Sequence, residues 1–134
     1  MKPQSCLKIK KEWDIVAARQ LGREMAKELG FSTVDQARIA TAISELVRNI
    51  YLYANEGSIC YEVIHSLDNK TGLCLTVEDK GPGITDLGQV MQDGFTTSGG
   101  LGAGLPGVKR LMDDFDLHSE VGKGTRVITK KWLR

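Results

Sequence analysis

The sequence has 134 residues, 41% of them hydrophobic and 26% charged, with a formal net charge of +1. That length supports one buried core and argues against two domains. So even a charge balance excludes broad electrostatic binding of nucleic acid, which needs a basic patch to neutralise phosphates.

No apolar run approaches the roughly 20 residues of a membrane-spanning helix. The start, MKPQSCLKIKKEWD, lacks the apolar stretch of a signal peptide, so the expectation is a cytoplasmic chain with neither a membrane nor a nucleic-acid partner. Cys6, Cys60 and Cys74 are odd in number and contain no CxxC, while His65 and His118 stand alone. The expectation is three buried free thiols and no protein-ligated zinc or iron.

In chain order, SCLKIK (5–10) suits an edge strand. From Trp13 to Leu29 the apolar residues Ile15, Val16, Ala18, Leu21, Met25 and Leu29 recur at helical spacing, and Gly30 ends the run as a helix cap would. A second helix is predicted to start at Thr33, with Gln36 three residues on in a capping-box pattern. It runs through Ile39, Ile43, Leu46 and Ile50 to about Ala54, and Asn55-Glu56-Gly57 turns the chain. ICYEVIHS (59–66) and LCLTVE (73–78) read as strands around a turn at 68–72. After a glycine-rich stretch, a helix is predicted over 106–113, with Pro106 in its first turn. Strands over 115–120 and 125–132, joined at 121–124, close the chain. These elements predict one α+β domain over residues 1–134, a two-layer sandwich with a largely antiparallel sheet.

Three segments carry chemistry. In SELVRN (44–49), roughly 100° per residue places Glu45 and Asn49 about 40° apart, away from the aliphatic stripe. A carboxylate and a carboxamide side by side are hard oxygen donors of the kind Mg²⁺ takes beside substrate phosphates. In EDKGPGI (78–84), Asp79 ends a strand just before Gly81 and Gly83, which permit close approach of a ligand. An acid there can accept a hydrogen bond from an exocyclic amine such as that of adenine. The third segment, 94–107, is GFTTSGGLGAGLPG, and it holds Gly100, Gly102 and Gly104 directly before a helix. Backbone N–H groups freed by glycine, with a helix N-terminus behind them, suit phosphates. Each segment also has a plainer reading, as a solvated face, a turn or a loop.

Known glycine motifs do not account for the third segment. GAGLPG (102–107) matches GxGxxG literally, but no strand precedes it and no βαβ unit surrounds it. There is no GxxxxGK[ST], and the VAIK, HRD and DFG set of eukaryotic-type kinases is absent.

Taken together, the segments resemble the gyrase, Hsp90, histidine-kinase and MutL superfamily, the Bergerat or GHKL ATP-binding fold with its largely antiparallel mixed sheet. Glu45-x-x-x-Asn49 resembles its N-box, Asp79-x-Gly81-x-Gly83 its first glycine box, and Gly100 to Gly104 its second. Gly124-Thr125 resembles the glycine-threonine pair behind the adenine pocket. Within the superfamily, SELVRNIYLYA, EDKGPGI and DGFTTSGGLGAGLPGVKRLMD are similar to the stand-alone serine/threonine kinases of bacterial stressosome and partner-switching pathways, relatives of the anti-sigma-factor kinases.

The resemblance implies ATP and Mg²⁺ as cofactors and roles for particular residues. Glu45 would be the general base, Asn49 the Mg²⁺ ligand, Asp79 the acceptor for the adenine amine and Thr125 its support. Gly81 and Gly83 would shape the pocket, and Gly100, Gly102 and Gly104 would lie in a lid over the triphosphate. It also implies STAS-domain substrates (RsbS-like and RsbR-like) and a PP2C-type phosphatase (RsbU-like) as the target activated on release. Two departures stand out. Tyr53 takes the place of a frequent His, and Gly99-Gly100 that of a frequent Arg, leaving Arg48, Lys80, Lys109 and Arg110 as candidate partners of the γ-phosphate.

Overall fold

A computed structural model describes residues 4–54, 56–81 and 104–134. In chain order the elements are β1 (Gln4–Ile9), α1 (Glu12–Leu29), α2 (Thr33–Tyr53), β2 (Gly57–His65), β3 (Thr71–Asp79), α3 (Gly104–Leu111), β4 (Asp114–Glu120) and β5 (Gly124–Trp132). The five strands form one sheet in the order β1-β2-β3-β5-β4, and every described pairing is antiparallel.

Helix ends follow local chemistry. The Asp14 carboxylate accepts the Lys10 and Lys11 N–H groups at 2.9 Å each, which fixes the start of α1. Those two bonds hold its pKa below the ordinary carboxylate value. Gly30, at φ 98, ends the helix. The predicted capping box at Thr33 and Gln36 is shifted by one residue. Ser32 is the cap, its Oγ accepting the Asp35 N–H at 3.1 Å, while the Gln36 amide donates to the Phe31 carbonyl. Serine preceded threonine, and either hydroxyl can cap. The third helix starts at Gly104, two residues before the predicted Pro106.

The helices lie on one face of the sheet. Ile39, Ile43, Leu46 and Ile50 are buried, as the periodicity predicts, with Ile59, Tyr61, Leu73, Leu75 and Val127 facing them from the strands. The Tyr61 hydroxyl donates to the Ala18 carbonyl at 2.6 Å, and burial pushes its pKa up. This bond ties the sheet to α1, where a buried hydroxyl without a partner would cost stability.

One expectation from the cysteines fails. Register sets Cys6 directly against Cys60, Cα–Cα 4.1 Å, and the two form a disulfide; only Cys74 is a buried free thiol. Strand alternation turns both residues away from Ile9 and Ile59 on the helix-covered side. Their separation of 54 residues hid the pairing from any reading by sequence spacing.

Candidate functional site

At the end of β3, the start of β5 and the residue that follows α2 come together. Antiparallel register aligns one row across four strands, Ile9, Gly57, Asp79 and Thr125, with Ser119 at its far edge on β4. The row brings together Asp79 and Thr125, 46 positions apart in sequence by their numbering.

Asp79 is held from several sides. Its Oδ1 accepts the Gly81 N–H at 2.9 Å, which orients the carboxylate. A carboxylate has four acceptor positions, so this bond leaves capacity for a donor from a ligand. A Cβ on Gly81 would come within 2.7 Å of the Ala54 Cβ, so the turn after β3 lies against the C-terminal end of α2. Gly124 has φ +121, and a Cβ there would overlap the Asp79 carbonyl oxygen and approach the Lys80 Cα to 2.9 Å. The strand turn at Gly124 thus closes onto the backbone of Asp79, which only glycine permits. Thr125 Oγ1 shares a hydrogen bond of 2.8 Å with Ser119 Oγ, which fixes the threonine rotamer.

The α2 face departs from the sequence expectation. Glu45 was placed by spacing on a polar side, yet it is 3% exposed. Buried positions run from Glu45 through Ala42, Leu46, Ile39, Ile50, Ile43 and Val47 to Ala40, an arc of roughly 220° at 100° per residue. A two-layer picture leaves one flank of α2 open, but α1 and α3 both pack against it, so the buried arc is wider than the aliphatic stripe alone. Asn49 lies inside that arc, between Glu45 and Ala42, yet is half-buried. Along the helix axis it stands about 7–8 Å before Ala54, at 1.5 Å per residue.

Glu45 and Asn49 thus stand one turn apart on α2, the helix whose following residue, Ala54, lies against Gly81. Their side-chain oxygens fit Mg²⁺. Among the described residues no three His, Cys, Asp or Glu side chains cluster as a protein-only metal site. Of the cationic candidates, Arg48 is half-buried on α2 and Lys80 exposed beside Asp79, whereas Lys109 and Arg110 are exposed in the last turn of α3. Gly83, Gly100 and Gly102, with most of the segment 94–107, lie outside the described residues; Gly104 opens α3.

Sequence reasoning missed Gly57 and Ser119. Gly57 follows Asn55-Glu56 and reads as a turn, while Ser119 carries no motif; only strand register reveals that both neighbour the site.

Comparison with known proteins gives the same fold and adds chemistry. Residues 34–134 match the family described as histidine kinase-, DNA gyrase B-, and HSP90-like ATPase. The chain is 66% identical over 134 residues to the serine/threonine-protein kinase RsbT of Bacillus subtilis, covering 100% of both chains. It is 35% identical over 121 residues to an anti-sigma F factor of Caldanaerobacter subterraneus, covering 87% of this chain and 83% of that one. A solved structure of the RsbU and RsbW domains of a Mycobacterium tuberculosis protein superposes with a TM-score of 0.63 at 22% identity. That likeness covers 98% of this chain and 34% of the other, so the present chain spans about a third of that protein.

Proposed function

This chain belongs to the histidine kinase-, DNA gyrase B-, and HSP90-like ATPase family and is an ATP-using serine/threonine-protein kinase of partner switching; from that premise we propose what it phosphorylates and which residues do so. Its substrates are STAS-domain antagonist and scaffold proteins of a bacterial stress response, and it acts in the cytoplasm as a single domain over residues 1–134. Once released from them, it binds and activates a PP2C-type phosphatase.

The observation that carries the site assignment is the meeting of the β3 end, the β5 start and the C-terminal half of α2 around Asp79. Asp79 accepts the adenine amine and Thr125 supports it. Gly81 and Gly124 keep side chains out of the space beside them, Gly83 shapes the pocket with Gly81, and Gly100, Gly102 and Gly104 belong to the segment over the triphosphate. Asn49 holds Mg²⁺, which when bound neutralises charge on the phosphates. Glu45 takes the proton from the acceptor serine or threonine hydroxyl. Its burial supports this role, because a side chain packed on all sides is held in one place for the incoming hydroxyl. Phosphoryl transfer needs positioning and charge neutralisation more than covalent chemistry, and every residue named here supplies one of the two.

The test incubates the chain with radiolabelled ATP, Mg²⁺ and candidate STAS proteins. Label is expected on Ser or Thr, lost in Glu45→Ala with ATP binding kept, and lost in Asp79→Asn together with ATP binding. Normal transfer by Glu45→Ala would refute the general-base assignment. The anti-sigma F relatives favour one second reading, an anti-sigma factor that phosphorylates its own antagonist. A pull-down that recovers a sigma subunit instead of STAS proteins would select it.

A further inference from the structure

At the end of β5 one charged side chain is turned into the helix-covered face. Val127, Thr129 and Lys131 alternate inward, and Lys131 is 5% exposed. Its Nζ donates to the Leu111 carbonyl oxygen at 2.7 Å. It also lies 3.8 Å from Asp35 Oδ1 and 3.9 Å from Asp113 Oδ1.

Two of these partners, Asp35 and Leu111, belong to the two helices that matter for the site. Asp35 stands in the first turn of α2, the helix that carries Glu45 and Asn49. Leu111 is the last residue of α3, which continues directly from the glycine-rich segment. One ammonium therefore answers the acid at the start of α2 and the orphan carbonyl at the end of α3, where a cation also complements the helix dipole. A helix of eight residues does not hold its own shape in water. Its direction depends on packing against α2 and on this bond.

Stability alone does not call for a charge here, since a buried ion pair is often replaced by an apolar side chain of similar volume at no cost. What methionine cannot supply is a directional bond to Leu111 and a simultaneous pull from α2. Resting on the kinase reading above, we propose that Lys131 is a positioning residue for phosphoryl transfer. It holds α3, which opens at Gly104, in a set orientation to the helix bearing Glu45 and Asn49.

The experiment measures ATP affinity by calorimetry, and KM for ATP and kcat with a STAS substrate, on folded protein verified by circular dichroism. Lys131→Met should weaken ATP binding and raise KM for ATP about tenfold while changing kcat less than about threefold, because a displaced N-terminus of α3 presents its backbone N–H groups less well to an anion. Asp35→Asn should move the same constants about threefold, and the double variant should be no worse than Lys131→Met alone, because both remove one interaction.

The proposal is overturned if Lys131→Met and Asp35→Asn are folded and both keep wild-type ATP affinity and KM, whatever their melting temperatures. Should Lys131→Met fail to fold, Asp35→Asn decides alone, since asparagine keeps the shape and an acceptor oxygen for Arg38, whose guanidinium lies 2.9 Å from Asp35 Oδ1. Failure of the kinase reading looks different: the wild type itself transfers no phosphate, or Asp79→Asn binds ATP normally.

Discussion

The two ends of the sheet solve opposite problems with similar residues. At one end, around Asp79, the ends of β3 and α2 and the start of β5 meet, and among the described residues the Asp79 carboxylate accepts one N–H, that of Gly81. At the other, Asp113 accepts the Trp132 N–H at 2.7 Å and pairs with both Arg134 and Lys131, while Lys131 reaches Leu111 and Asp35. Trp132 Nε1 in turn donates to Asp114. Lys131, Asp113, Asp114 and Arg134 are each answered by the protein. The lesson is that polar groups with spare capacity mark a ligand, whereas polar groups with internal partners mark an anchor.

The largest expected effect tests the ligand end. Glu45→Gln keeps the side-chain volume at a buried position, where truncation would also open a cavity. Removing the base should lower kcat by about 10²–10⁴-fold with ATP affinity little changed. A loss of ATP affinity as large as the loss of kcat would instead make Glu45 part of the nucleotide cradle. Next is Asp79→Asn. Asn still accepts the Gly81 N–H, so the fold should survive, but its amide would set a donor against the adenine amine. ATP affinity should fall about 10²-fold, roughly 3 kcal/mol, as when a hydrogen bond to a charged group is lost. An unchanged affinity by calorimetry would remove Asp79 from the site.

Much of this division is legible in the sequence, for identifiable reasons. The helices over 12–29 and 33–53 were readable because Ile39, Ile43, Leu46 and Ile50 recur with one period that the fold then buries on one side. Asp79 and Gly81 stand out because an acid at a strand end just before glycine leaves room for close approach, whereas the Gly124-Thr125 pair stands out only through its resemblance to the GHKL family. What the sequence could not give were relations set by register. The opposition of Cys6 and Cys60, the row from Gly57 to Ser119, and the burial of Glu45 all depend on which strand or helix lies alongside. Lys131 escaped for a related reason. In TRVITKKW two adjacent lysines look equally solvated, and only the pleat decides that Lys130 faces out and Lys131 in.

A smaller effect sharpens the anchor end. Ser32 caps α2 three residues before Asp35, and its Oγ is occupied by the Asp35 N–H. Ser32→Ala should cost about 1 kcal/mol and lower the melting temperature by roughly 4–6 °C. Kinetic constants should remain those of wild type, in contrast to Lys131→Met. A Ser32→Ala protein with altered KM for ATP would mean that the whole start of α2, and not the Lys131 clamp, governs the site.

The smallest effect separates location from chemistry. Asp14 begins α1 beside the ligand end, where the Lys10–Glu56 ion pair at 3.4 Å joins the start of α1 to the connection after α2. By location it belongs with Asp79; by its bonds, both to backbone N–H groups of Lys10 and Lys11, it is an anchor. Its lowered pKa means that the folded state binds the proton less readily than the unfolded one. The stability it provides is therefore complete above the ordinary aspartate value, about 3.9, and is lost as pH falls through the lower folded value. Asp14→Asn should cost about 0.5–1 kcal/mol near neutral pH. It should also flatten the fall in melting temperature between about pH 5 and pH 3, while ATP affinity stays at the wild-type value. If Asp14→Asn weakens ATP binding and leaves the acid limb of the melting profile unchanged, nearness to the site outweighs bonding pattern, and the distinction between the two ends fails at its boundary.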